Sequence, residues 1–219
     1  MPKTKAVLFD LDGTLLDTAP DLAAALNQLL LENSRPHLPY KTIREVVSDG
    51  AKAMIELAFN ISDSDQQYPS LRQRLLEIYE ENIAVHTQLF TGLDVLLERL
   101  EKNNIHWGIV TNKPRYLSVR LLEALKLRER CATLVCPDDV THRKPHPEPL
   151  LKACKEINCL PAETIYIGDH LRDIQAGKNA GMKTISALFG YIHQDEDPLL
   201  WDADISVLKS TELEQHILP

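Results

Sequence analysis

Apolar residues form two kinds of pattern along the chain. Short continuous runs end in polar or turn residues, and longer stretches carry apolar positions three and four apart. The first run, Ala6-Val7-Leu8-Phe9, stops at Asp10-Leu11-Asp12-Gly13-Thr14, which is the mark of a buried strand entering a turn. Helical spacing follows through about Glu32, with Leu22, Leu26, Leu29 and Leu30 on one face and Thr18 or Asp21 as candidate N-caps. The same spacing predicts a short helix over Tyr40 to Val47, a second over Ala51 to Phe59 and a strong one from Ser70 to about His86.

The next convincing strand is Trp107-Gly108-Ile109-Val110-Thr111. Far more chain precedes it than a βαβ crossover of about 30 residues needs. From Leu93 onward helices and strands alternate. Helices are predicted at Leu93–Lys102, Arg115–Lys126, Pro147–Asn158 and Leu171–Ala180, and strands at Thr133–Cys136, Thr164–Ile167 and Thr184–Leu188. A short strand at Ala203–Val207 and a last helix from Thr211 form an edge element. Alternation of this kind predicts an α/β fold with a parallel, Rossmann-like sheet and helices on both faces. The long helical stretch predicts an inserted all-helical domain over 18–87, between core segments 1–17 and 88–219, with hinges near Asp17-Thr18 and Phe90-Thr91-Gly92.

Composition narrows the function. The chain has 219 residues, 44% hydrophobic and 26% charged, with a formal charge of −8. It has no Lys/Arg-rich block and no apolar run of membrane-spanning length, so neither nucleic acid nor a membrane is an expected partner. Met1-Pro2-Lys3-Thr4-Lys5 leads straight into the first strand without the apolar core of a signal peptide, and a cytoplasmic location is expected. Cys131, Cys136, Cys154 and Cys159 form two C-x4-C pairs, read as buried free thiols in preference to a zinc site.

Candidate chemistry gathers at the carboxyl ends of the predicted strands, the rim where open α/β sheets bind ligands. Asp10 and Asp12 end the first strand, Thr111-Asn112-Lys113 the second, and Gly168-Asp169 with Asp173 the fourth. The third is followed by Asp138-Asp139 and by His142-Arg143-Lys144-Pro145. Three carboxylates around one point require a cation, and oxygen-only ligands select Mg²⁺. Thr111, Asn112, Lys144 and the amides after Asp10 suit phosphate oxygens. An ionised aspartate can then attack phosphorus, while a carboxylate two residues away on the same side handles the leaving-group proton.

These four segments, in this order, resemble the signatures of the haloacid dehalogenase-like hydrolases over nearly the whole chain. The resemblance implies Asp10 as nucleophile and Asp12 as general acid/base. It implies phosphoryl contacts from Thr111, Asn112 and Lys144, with Lys144 steadying Asp10. Mg²⁺ would be held by Asp10, the Asp12 carbonyl and Asp169, supported by Asp173. The helical insertion resembles the family's cap, with Arg44, Asp49 and Gly50 expected at its substrate-reading loop. A carboxylate at Asp12 fits a phosphate ester, whose leaving oxygen needs a proton; the family's dehalogenase members lack it. The expected partner is therefore a small phosphorylated metabolite, acted on by a monomer or homodimer. Thr14-Leu15-Leu16-Asp17, Asp138-Asp139-Val140, Lys144-Pro145-His146-Pro147 and Gly190-Tyr191 most resemble phosphoglycolate phosphatases, although Pro137 stands where those tend to carry glycine. Gly168-Asp169-His170-Leu171-Arg172-Asp173 and Gly190-Tyr191-Ile192-His193 also resemble N-acetylmuramic acid 6-phosphate phosphatases. A phosphomutase such as β-phosphoglucomutase is the alternative.

Overall fold

The structure, a computed structural model, describes residues 3–218. Met1, Pro2 and Pro219, the outer ends of the expected core segments, lie outside the described residues. Among the described residues, eight strands and nine α-helices run in the order β1 (Ala6–Phe9), β2 (Leu16–Asp17), α1 (Ala19–Glu32), α2 (Tyr40–Arg44), α3 (Gly50–Phe59), α4 (Tyr68–Glu81), β3 (Gln88–Leu89), α5 (Leu93–Lys102) and β4 (His106–Val110). They continue with α6 (Arg115–Ala124), β5 (Leu134–Val135), α7 (Glu148–Glu156), β6 (Thr164–Gly168), α8 (Leu171–Asn179), β7 (Lys183–Ala187), β8 (Ile205–Val207) and α9 (Glu214–Ile217).

Six strands form one parallel sheet in the order β5-β4-β1-β6-β7-β8. β1 is buried on both faces, as its unbroken apolar sequence requires. Val7 and Phe9 pack with α5 and α6 through Leu96, Leu97, Leu100 and Leu121, while Leu8 packs on the other face with Leu150 of α7 and Ala176 of α8. The chain leaves β1 toward β4 and β5 and later returns on the other side as β6, so the sheet changes direction between β1 and β6. A crevice opens at the carboxyl ends of strands at such a point. Phe9 is paired with Ile109 on one side and Ile167 on the other. That register lines up the ends of β1, β4 and β6, and with them Asp10, Thr111 and Asp169.

Helices α1 to α4 occupy the stretch between β2 and β3. α1 packs on α2, α3 and α4. Leu26, Leu29, Ile55, Leu75 and Tyr79 form an apolar cluster there that reaches Leu117 and Tyr191 of the sheet-bearing part. Leu16–Asp17 and Gln88–Leu89 pair antiparallel, so the chain enters and leaves the helical insertion side by side.

Three local expectations are corrected. Thr18 holds the N-cap position of α1 and Asp21 does not, but the Thr18 side chain makes no cap bond: its hydroxyl donates to Asp12 Oδ1 at 2.6 Å, and the Ala19 amide donates to the Tyr191 hydroxyl at 2.9 Å. Asp21 is buried and accepts from the amides of His86 and Thr87 and from the Thr87 hydroxyl, stapling α1 to the start of β3. The helix expected to run to His86 ends at Glu81, because these two amides turn to Asp21 and Ala84 takes a left-handed φ of 60°. The helix expected to reach Val47 ends at Arg44, where Val46 and Val47 donate three residues back to Ile43 and Arg44. The cysteines are free thiols, Cys131, Cys136 and Cys154 buried and Cys159 half-buried, and burial pushes Cys131 up to about 12.

Candidate active site

The turn after β1 is shaped by Gly13. Its φ is 82°, a backbone conformation that side chains disfavour, and a Cβ there would lie 2.2 Å from Asp169 Oδ2. Glycine thus lets the β1 turn close directly over the carboxylate at the end of β6. Thr14 Oγ1 donates to Asp169 Oδ1 at 2.9 Å, and the Tyr191 amide donates to Oδ2 at 2.9 Å. A third donor arrives from the insertion: Ser48 Oγ, 2.9 Å from Asp169 Oδ2. Asp169 is fully buried, and burial together with Asp10 and Asp173 raises its pKa to about 7.

Asp10, Asp169 and Asp173 bring carboxylate oxygens within 4.8 Å of one another, all three side chains buried. Lys144 reaches this group from the loop after β5. Its Nζ lies 2.9 Å from Asp10 Oδ1 and 2.7 Å from Asp173 Oδ1, and donates to the Val110 carbonyl at 2.9 Å and the Tyr166 hydroxyl at 2.7 Å. Burial opposes the charge on Lys144, but Asp10 and Asp173 outweigh it and hold the lysine protonated. Burial would also raise Asp173, yet Lys144 and Arg172 keep it below the usual carboxylate range. At Asp10, as at Asp169, burial wins, and its pKa is raised despite Lys144.

These values describe the group without a cation, and the group is built to take one. Three buried carboxylates face two positive side chains, Lys144 and Arg172. Asp10 Oδ1 has the Lys144 ammonium beside it at 2.9 Å, whereas Asp173 Oδ2 has no hydrogen-bond donor. A buried carboxylate oxygen without a partner is costly unless a cation satisfies it. An all-oxygen donor set of this kind suits a hard divalent ion.

Asp12 sits apart from this cluster. Lys113 Nζ and Thr18 Oγ1 both contact its Oδ1, at 2.9 Å and 2.6 Å. Lys113 is buried beneath α4, with its Nζ 4.5 Å from the centre of the Tyr79 ring. Thr111 accepts a bond from the Lys113 amide, and Asn112 Nδ2 donates to the Lys144 carbonyl at 3.2 Å, fixing the loop that carries the lysine. A cavity of about 500 Å³ opens above Asp10, Asp12, Thr111, Asn112 and Lys144, and the insertion contributes Asp49 and Gly50 to its wall. Gly50 has a φ of 80°, and Asp49 lies 3.2 Å from His170 Nε2. Arg44 is not among the cavity residues. Its guanidinium bonds the Phe189 carbonyl at 3.1 Å and stacks over the Tyr191 ring.

A family model described as haloacid dehalogenase-like hydrolase matches residues 7–187. The chain belongs to the haloacid dehalogenase-like hydrolases. Within this family it is 45% identical over 215 residues to an N-acetylmuramic acid 6-phosphate phosphatase of Pseudomonas putida, covering 98% of this chain and 96% of that protein. It is 44% identical over 209 residues to a phosphoglycolate phosphatase of Xanthomonas campestris, covering 95% and 94%. Among solved structures, a Haemophilus somnus protein described as a predicted phosphoglycolate phosphatase superposes with a TM-score of 0.88 over 100% of both chains at 22% identity. At that identity the likeness concerns the fold: a parallel sheet with helices, as expected.

Three contacts of the site were not foreseen from the sequence. Ser48 and Tyr191 both hold Asp169, and Lys113 holds Asp12. Lys113 carried a usable signal, a lysine beside Thr111-Asn112 on the rim. Ser48 belongs to the Ser48–Lys52 stretch expected at the substrate, but nothing in the sequence signals its bond to Asp169, 121 positions away.

Proposed function

We propose that the protein is a Mg²⁺-dependent phosphomonoesterase acting on a small phosphorylated metabolite through an aspartyl-phosphate. The observation that carries this reading is Asp10 itself: a buried carboxylate at the strand end, 2.9 Å from Lys144 and with oxygens of Asp169 and Asp173 within 4.8 Å. Asp10, the Asp12 carbonyl and Asp169 are proposed to hold the ion, with Asp173 beside them. When bound, Mg²⁺ would neutralise the carboxylates and draw negative charge from the phosphoryl oxygens.

A carboxylate oxygen of Asp10 attacks phosphorus, and the bond from phosphorus to the leaving oxygen breaks. Asp12 gives that oxygen its proton, so the product departs as an alcohol. The Asp12 carboxylate then takes a proton from water, whose oxygen attacks the same phosphorus. The bond to Asp10 breaks, inorganic phosphate leaves and both side chains return to their starting states. Lys144 and Thr111 bind the phosphoryl group throughout, and Asn112 assists by holding the Lys144 loop. Helices α1 to α4, residues 18–87, act as a cap that excludes water from the cavity and selects the substrate through the loop at Asp49 and Gly50.

2-Phosphoglycolate and N-acetylmuramic acid 6-phosphate, named for the two relatives, are the first substrates to test. Asp10→Asn should abolish phosphate release from both while leaving the circular dichroism spectrum unchanged. Undiminished turnover in that variant would remove Asp10 as the nucleophile. Conversion of hexose 1-phosphates to 6-phosphates would point to a mutase in place of a phosphatase.

A further inference from the structure

The cavity above Asp10 is lined by six cationic side chains, and four of them are already engaged. Lys144 is paired with Asp10 and Asp173, and Lys113 with Asp12. Lys52 bonds Asp63 at 2.5 Å, and Arg172 bonds the Ser48 carbonyl and lies 3.8 Å from Asp49. Arg72, on α4, and Arg143, on the loop before Lys144, have neither a carboxylate nor a carbonyl partner among the described residues. One belongs to the helical insertion and the other to the sheet-bearing part, yet both line the same cavity. Lys144 already supplies a cation at the phosphoryl position, so these two guanidinium groups are free for charge elsewhere on the ligand.

Size and lining add a second constraint. At about 500 Å³ the cavity falls within the roughly 300–1,000 Å³ of sites that enclose whole small molecules, well beyond what a two-carbon leaving group fills. Part of its lining is apolar, from Leu22, Val47, Met54, Leu75 and Leu76 of the insertion together with Leu117. A ring with apolar edges fills such a wall; a bare glycolate leaves it in contact with water.

We infer that the leaving group is a sugar-sized alcohol carrying a carboxylate, and that Arg72 and Arg143 read that carboxylate. This rests on the phosphomonoesterase reading and goes beyond it by assigning the non-phosphate end of the substrate. Arginine suits the role because its planar donors match a carboxylate in pairs. Both side chains are exposed, and a substrate lacking the carboxylate would leave them without the paired bonds that the carboxylate offers.

The test compares kcat/KM for N-acetylmuramic acid 6-phosphate, N-acetylglucosamine 6-phosphate and 2-phosphoglycolate. The second compound is the same sugar phosphate without the carboxylate-bearing ether. Wild type should prefer the first over the second by roughly 100-fold, a tenfold factor or more for each charge-assisted contact. Arg72→Gln and Arg143→Gln should each lower that ratio about tenfold, mainly through KM, and Arg→Lys at either position should restore part of it. Both sugars are measured on one preparation, so a loss of folded protein cancels from the ratio. A wild-type ratio near one, a ratio unchanged in both glutamine variants, or a preference for 2-phosphoglycolate over the sugar acid would overturn the inference. Wild type that releases phosphate from p-nitrophenyl phosphate while failing these comparisons would lose only the substrate assignment. Wild type that releases none would lose the phosphatase reading with it.

Discussion

Lys113 Nζ lies 2.9 Å from Asp12 Oδ1 while its ammonium packs 4.5 Å from the centre of the Tyr79 ring. The proposed general acid/base is thus held by a lysine from the end of β4, and that lysine is covered by a helix of the insertion. Asp12 also accepts from Thr18, the residue immediately before α1. The position of the proton-handling group is therefore tied to the seating of the helices above it.

Lys113→Met removes this tether without touching the phosphoryl position. We expect kcat for an alkyl phosphate to fall roughly 10–100-fold, a part of the 10²–10⁴ that a positioned acid contributes. Turnover of p-nitrophenyl phosphate, whose leaving group needs little protonation, should fall less. Equal losses on the two substrates would show that Lys113 does not act through Asp12.

The raised pKa of Asp169 has a consequence for stability. Its value of about 7 in the fold stands above the ordinary 3.8, so the protonated form is the one that the cation-free fold favours. That contribution is complete below pH 3.8 and is lost as pH rises through about 7. In EDTA the melting temperature should decline between pH 5.5 and pH 8 by several degrees, each kcal/mol being worth about 2–4 °C for a chain of this size. Added Mg²⁺ should stabilise more at pH 8 than at pH 5.5, and Asp169→Asn should flatten the slope in EDTA. Calorimetry that finds the EDTA-treated protein more stable at pH 8, with the same slope in Asp169→Asn, would contradict this picture of Asp169.

Gly13→Ala places a methyl 2.2 Å from Asp169 Oδ2 at a φ of 82°. Backbone strain alone costs about 1–3 kcal/mol, and the clash must also displace Asp169 or the turn. Urea unfolding should show a loss in this range, and the concentration of Mg²⁺ needed for half-maximal activity should rise. An alanine variant with unchanged metal requirement would separate the turn from the metal group.

How much of this was legible in the sequence follows from what each residue touches. Asp10, Thr111 and Asp169 were readable because an apolar run announces a strand and the parallel register carries each strand end to one rim. Lys144 was readable as a lysine in a loop on the same rim, but its four contacts were not, since Val110 and Tyr166 carry no sign of serving a lysine. Helix ends were the weakest expectation. α4 stops five residues short of His86, where a buried aspartate from α1 captures the amides of His86 and Thr87, and nothing local to residues 82–87 signals it. Arg44 was expected at the substrate and instead bonds the Phe189 carbonyl, a partner 145 positions away.

The central claim is that Asp10 becomes phosphorylated, and Asp12→Asn gives direct access to it. With p-nitrophenyl phosphate the departing group needs no proton, so formation of the aspartyl-phosphate should persist in this variant. Its hydrolysis should slow for lack of a base. Acid quench during turnover followed by peptide mass spectrometry should then find one phosphoryl group on the peptide that contains Asp10, absent from the Asp10→Asn protein. Steady turnover by Asp12→Asn with that peptide unmodified, or with phosphate on another residue, would contradict the account.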